Sequence, residues 1–163
     1  MDRLEELRRS FHPDCIATLF VGESAPVSGR FFYSSNSSLF RAMKRVFGDR
    51  ESFLEDFKKN GFYLDDLVLT PINKLERRER SRQRQEAVPE LAKRLVEYNP
   101  KAVVVVMRAI LPMVRQAMRI AGISYEPFCV PHPAFGNSTR FGNAMTEIID
   151  ELPVAGGSKK RTD

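Results

Sequence analysis

The run Ala102-Val103-Val104-Val105-Val106 leaves this chain little freedom. Four valines follow an alanine, and no polar residue among them can turn toward water. β-Branched side chains are stiff and suit the pleated surface of a strand. A strand apolar on both faces is buried on both faces, the pattern of a parallel sheet covered by helices. Pro100 separates the run from an amphipathic stretch, Glu86 to Tyr98, with Val88, Leu91, Leu95 and Val96 expected inward. A second helical stretch, Ala109 to Ala121, follows and stops at Gly122. Helix, buried strand, helix is the repeating unit of such a sheet.

The rest of the chain fits that scheme. Leu4 to Arg9 begins a helix that Pro13 ends. Cys15 to Val21 has the length and composition of a second buried strand, stopped at Gly22. Helices are expected from Ser37 or Ser38 to Gly48, and from Glu51 to Asn60. Leu64 to Pro71 reads as a further strand and Pro127 to Val130 as the last. A final helix, capped by Ser138 or Thr139, runs through Phe141, Met145, Ile148 and Leu152. The expectation is a three-layer α/β/α domain with a mostly parallel four-stranded sheet over residues 1–153, and a disordered basic tail over 154–163.

Bulk properties exclude some classes. No apolar run is long enough to span a bilayer. The charged N-terminus lacks the apolar core of an export signal, so a cytoplasmic location is expected. Cys15 and Cys129 lie in apolar runs and read as reduced core residues, not a disulfide framework. Two cysteines and two histidines without ligand spacing give no metal site. The net charge of +5 mildly favours a polyanionic partner.

Parallel strands share one carboxyl-terminal edge, and that is where open α/β sheets bind ligands. Three polar loops converge there: Gly22-Glu23-Ser24, Thr70-Pro71-Ile72-Asn73-Lys74, and His132-Pro133-Ala134-Phe135-Gly136-Asn137. The loop between the first strand and the next helix carries three adjacent aromatics, Phe31-Phe32-Tyr33. Such rings pack on the core or on a ligand, and for Phe32 both readings stand. Glu23 is either a site carboxylate or a solvated loop residue. His132 lies in a turn between prolines, a poor place for a core histidine; His12 is taken as structural. Lys74 to Arg84 is a dense charge run, by default a solvated helix face laced with Glu–Arg pairs.

These motifs also resemble a family. Gly22-Glu23-Ser24-Ala25-Pro26 is similar to the first motif of the uracil-DNA glycosylase superfamily, nearest to its iron–sulfur branch with Gly-Glu-Ala/Gly-Pro-Gly. Ser28-Gly29-Arg30-Phe31-Phe32-Tyr33 resembles that branch's Gly-Arg-Pro-Phe-Val-Gly, and His132-Pro133-Ala134 its His-Pro-Ser/Ala. The order matches from about Ile16 to Ile149. The resemblance implies a glycosylase fold and a DNA glycosylase that hydrolyses the N-glycosidic bond of a flipped deaminated or damaged base. Glu23 and His132 would be catalytic. Gly22, Ser24, Phe32, Asn73 and Asn137 would hold base and sugar, and Arg30, Lys74 and Arg140 the DNA phosphates. The branch's four cluster cysteines are absent, so no cofactor is expected. Pro71 stands where the family's base-reading Asn is expected, with Asn73 as its substitute. A monomer is expected, acting on DNA and not on a membrane. Two other readings stay open: a catalytically weak or inactive member that binds nucleic acid or a nucleotide in the same pocket, and an enzyme acting on a small nucleoside or nucleotide.

Overall fold

β1, Thr18–Gly22, is the axis of the molecule, and all five of its residues are buried. In a computed structural model that describes residues 2–156, β1 pairs in parallel with β2, Phe62–Asp66, on one side. On the other side it pairs in parallel with β3, Ala102–Val105. A short β4, Phe128–Cys129, extends the sheet beyond β3, giving the order β2-β1-β3-β4. The expected parallel four-stranded α/β sheet is therefore what forms. Every residue of β1, β2 and β3 is buried, so both faces are covered by helices and the strands show no alternation.

Seven α-helices are present among the described residues: α1 Arg3–Ser10, α2 Ser38–Val46, α3 Phe53–Lys59, α4 Arg77–Glu86, α5 Val88–Tyr98, α6 Leu111–Ile120 and α7 Ser138–Ile148. Apart from α4 they are amphipathic or short and bury most of their apolar positions; α5 packs along α6, and α2 along α7. α4 is the exception, with no buried residue. Asn137 stands at the N-cap of α7 in place of the expected Ser138 or Thr139, without a side-chain cap bond. Val96 turns outward at 62% exposed, contrary to its expected inward place. Cys15 is exposed just ahead of β1, so it is no core residue; Cys129 is half-buried.

The aromatic loop is built into the core. Phe31, Phe32 and Tyr33 are each 3% exposed, with Phe32 and Tyr33 in a single 3-10 turn. Phe32 meets Phe40, Phe53 and Phe57 at tilted or edge-on angles, a geometry that adds about 0.5–1.5 kcal/mol per pair beyond burial. Tyr33 has a second task. β2 is an edge strand, whose outward backbone groups need partners. The Tyr33 hydroxyl accepts from the Leu64 N–H at 2.7 Å and donates to the Leu64 carbonyl at 2.9 Å. Arg94 Nη2 donates to the Asp66 carbonyl at 2.6 Å. The edge is thus closed by side chains.

β2 begins and ends earlier than its sequence suggests. It runs through two buried carboxylates, Asp65 and Asp66. Asp65 Oδ2 accepts from Arg94 Nε and the Tyr98 hydroxyl, each at 2.9 Å. Asp66 Oδ2 accepts from Arg8 Nη2 at 2.9 Å, and Arg8 Nη1 lies 3.4 Å from Asp65 Oδ1. Arg8 is 3% exposed. Two carboxylates and two guanidiniums so balance charge inside the fold, and the removal of any one would strand the others.

The segment after α7 returns to the sheet. The Pro153 carbonyl accepts from the Thr18 hydroxyl at 2.9 Å, and the Ala155 N–H donates to the Asn60 carbonyl at 2.8 Å. Ala155, expected in the tail, is thus held against the fold; the rest of that expected tail, 157–163, lies outside the described residues. Among the described residues no helix is long and apolar enough to cross a membrane.

Candidate active site

A cavity of about 380 Å³ opens at the carboxyl-terminal edge of the sheet, within the usual range for small-molecule sites of about 300–1,000 Å³. Gly22, Glu23 and Ser24 enter it from the end of β1, Asp66 from the end of β2, and His132 and Ala134 from the loop after β4. Phe31 and Phe32 form part of the wall, and Arg30, Asn73, Lys74 and Arg80 stand along its rim. An acid, an aromatic pair and an imidazole, far apart in sequence, so share one hollow. Phe32 meets both of its sequence readings: it is core on one side and wall on the other.

Glu23 is 8% exposed and carries the densest electrostatics of the site. Arg80 Nε donates to Oε2 at 2.9 Å and Arg80 Nη2 to Oε1 at 2.5 Å. Arg84 donates to Oε2 through Nε at 2.5 Å and also through Nη2. Burial pushes the Glu23 carboxyl up, but the hydrogen bonds and charges of Arg80 and Arg84 outweigh it, and the group titrates below its ordinary value. It is an ionised carboxylate clamped by two cations. Arg80 and Arg84 sit one turn apart on α4 and share a face, so the helix without a buried apolar residue is docked through this clamp. The charge run is therefore only partly the solvated face expected of it.

The loop that carries Glu23 is stapled to the segment after β2. Leu67 and Val68 N–H groups donate to the Gly22 and Glu23 carbonyls at 2.8 and 2.9 Å. The Val27 N–H donates to Asn73 Oδ1 at 3.0 Å, and the Ile72 N–H to the Ser24 hydroxyl at 3.4 Å. Asn73 does line the cavity, but its carbonyl oxygen is spent on this staple.

His132 receives the Ala134 N–H on Nδ1 at 3.1 Å. Nδ1 is therefore unprotonated, and a neutral ring carries its proton on Nε2. Burial depresses the imidazole below its ordinary value, opposed by the charge of Glu23, so the ring is neutral at pH 7. Asp66 is pinned through three atoms. Its N–H donates to Asp65 Oδ1 at 2.8 Å, its carbonyl takes Arg94, and its Oδ2 takes Arg8. Burial pushes its carboxyl up, opposed by Arg8. A Cβ on Gly22 would stand 2.7 Å from Asp66 Oδ1. Glycine is thus required here for the close approach of a neighbouring carboxylate, without any positive φ.

Some expected residues are not brought to the cavity. Asn137 donates its amide to the Ala134 carbonyl at 3.1 Å, inside its own turn. Arg140 lies with Arg108 at a separate shallow hollow on α7. Pro71 falls five residues beyond the end of β2, so the strand-end position facing the cavity is held by Asp66 instead. His12, expected to be structural, is exposed and lies outside the cavity, its ring tilted against Tyr63 and Nδ1 2.7 Å from the Pro13 carbonyl.

Four residues at the cavity escaped the sequence reading. Asp66 had a signal, two adjacent carboxylates in an otherwise apolar strand. Arg80 and Arg84 had the four-residue spacing of a shared helical face. Phe135 had none: it is 102% exposed at the cavity mouth with φ of +58°, a conformation uncommon for a bulky residue. No match to the chain is found among curated proteins. Residues 11–152 match the family model described as the Uracil DNA glycosylase superfamily; spanning the sheet and every wall of the cavity, that match makes the chain a member of this superfamily.

Proposed function

We propose that the chain hydrolyses the N-glycosidic bond of a single base swung out of DNA into the cavity. The observation that carries the reading is the joint presence of Glu23, His132 and the Phe31–Phe32 wall around one hollow. Extrusion is a physical need, because the bond is unreachable inside a stacked duplex. In this reading the neutral His132 donates from Nε2 to the acceptor that gains negative charge as the base departs. Glu23, held ionised, faces the sugar, where positive charge develops, and orients the attacking water. Arg30 and Lys74, exposed on the rim, meet phosphates. Phe135, fully exposed at the mouth, acts as an apolar wedge that takes the place of the extruded base in the stack. The sequence pI near 9.4 suits a polyanionic partner.

The test uses end-labelled oligonucleotides carrying one uracil, hypoxanthine or xanthine, incubated with stoichiometric protein and then treated with alkali. A strand break at the lesion, lost in His132→Ala, supports the reading. No break at any lesion refutes it.

A second reading is favoured by one observation: Arg80 and Arg84 occupy both oxygens of Glu23. A carboxylate so neutralised is a weak base, and the pocket would then bind a nucleotide without chemistry. Under this reading Glu23→Gln and His132→Ala change affinity while no rate exists to change.

A further inference from the structure

The clamp on Glu23 is lopsided. Arg84 donates through Nε and Nη2 to Oε2 alone. Arg80 spans both oxygens, with Nε on Oε2 at 2.9 Å and Nη2 on Oε1 at 2.5 Å. Among the described residues Arg80 is thus the one side chain that holds Oε1. The two arginines also differ in place. Arg80 lines the cavity together with Arg30 and Lys74, whereas Arg84 is set back from it. The Arg80 side chain is 27% exposed and that of Arg84 14%. Arg30 and Lys74 are exposed, and among the described residues neither pairs with a carboxylate. Because α4 buries no residue, the Arg80 side chain can swing off Glu23 without opening the core.

We propose that Arg80 is an exchangeable arm: a phosphate ester arriving at the rim takes its guanidinium from Glu23 and frees Oε1, while Arg84 keeps Oε2. A phosphate offers the guanidinium fork the same two-point seat as a carboxylate, so the exchange trades one charge-assisted pair for another. Glu23 is not stranded by it, because Arg84 stays, and a stranded charge is what makes breaking a buried pair costly. Arg30 and Lys74 add positive potential on the same rim and draw the anion in. With one cation gone, Glu23 regains basicity while remaining ionised. Oε1 then stands on the cavity side, ready to accept from the attacking water. The doubly clamped carboxylate is in this way the resting state, released by the charge of the substrate itself. Two sources carry this chemistry, the backbone of a nucleic acid and the phosphate of a free nucleotide. The inference deepens the proposed function and rests on its reading that the cavity receives a nucleotide unit.

The experiment follows the arginine Nε–H resonances of the wild-type chain by NMR, so that it needs no variant to fold. The probes are a short undamaged DNA duplex and deoxyuridine 5′-monophosphate, with deoxyuridine as the control that lacks a phosphate. The Arg80 Nε–H signal is expected to move with a phosphate-bearing probe, the Arg84 signal to stay, and deoxyuridine to move neither. A response to the duplex assigns the phosphate to nucleic acid, and a response to the mononucleotide alone assigns it to a free nucleotide. Salt dependence of duplex binding supplies a second readout that a merely structural arginine would not change. Arg80→Gln should reduce the slope of log affinity against log salt by about 1, the loss of one phosphate contact. Arg84→Gln should leave that slope as it is, and Arg80→Lys should restore most of it. Exchange without a strand break at any lesion refutes the hydrolysis and leaves the role of Arg80 intact. A strand break with the Arg80 signal unmoved and the slope unchanged overturns this inference and leaves the hydrolysis intact. Binding of neither phosphate-bearing probe overturns the inference outright.

Discussion

Replacing Glu23 by Gln keeps the size of the side chain and removes its charge. The consequence is set by what Glu23 holds. Its side chain is 7% exposed and Arg84 is 14% exposed, so that pair is nearly withdrawn from water; Arg80, at 27%, is partly screened. A charge-assisted hydrogen bond is worth about 1.5–3 kcal/mol, and stripping one partner from a buried pair costs about 3–5 kcal/mol. Gln retains one acceptor oxygen, and Arg80 can turn to solvent, which brings the expected loss to about 2 kcal/mol. For a chain of this size that lowers Tm by about 4–8 °C. Because α4 buries no residue, the loss concentrates there, and its amides should exchange about thirtyfold faster. The pH dependence follows from sign. The folded carboxyl titrates below 4.5, so as pH falls the unfolded chain binds the proton first. Wild-type stability is therefore full above that value and is lost as pH drops through the lower folded one. Thermal unfolding of both proteins at pH 7 and about pH 3, with hydrogen exchange at pH 7, checks this. A stability gap unchanged between the two pH values, or α4 protection equal in both proteins, would refute the clamp.

Gly22→Ala places a methyl group 2.7 Å from Asp66 Oδ1; urea unfolding should show a loss of about 1–3 kcal/mol from overpacking, with nucleoside binding weakened because the carboxylate must move. The single-turnover cleavage rate should have an acid limb below 6.5, since protonating His132 on Nδ1 removes the acceptor that the Ala134 N–H uses and so displaces the ring; a limb above that value contradicts the assignment. The same depression means that stability falls as pH drops below 6.5, where the unfolded imidazole is protonated first. Phe135→Ala should leave Tm unchanged, because the ring contacts nothing it would lose, yet weaken binding to duplex DNA at least severalfold while single-stranded binding stays the same.

The fold was legible because its strands speak plainly. Ala102–Val106 and Thr18–Gly22 are apolar on both faces, and only a parallel sheet covered by helices accommodates that. The site was legible where loops follow those strands: Glu23 and His132 sit beyond strand ends, and the sheet's shared direction brings them together. β2 was misread by several residues because apolarity marks burial, and Leu67, Val68 and Ile72 are buried without lying in the strand. The carboxylates inside β2 look like a strand boundary in sequence; only the third dimension supplies Arg8 and Arg94, 58 and 28 residues away from Asp66, to neutralise them. The Glu23 clamp was hidden for the same reason. Glu79 and Glu86 stand at helical spacing from Arg82 and pair with it, which leaves Arg80 and Arg84, one turn apart, to a partner that only the fold brings near. Arg140 and Asn137 were misplaced because nearness to a motif in the chain does not aim a side chain: α7 carries one away, and a tight turn consumes the other.

The most direct test of the account is a single-turnover assay with protein in excess over a labelled duplex, in which one damaged base at a time stands opposite a normal partner. The account predicts an alkali-sensitive site at the damaged position for at least one base, a rate that falls steeply with salt, and its loss in His132→Ala with binding retained. An intact strand for every base, under conditions where the duplex is bound, would contradict it.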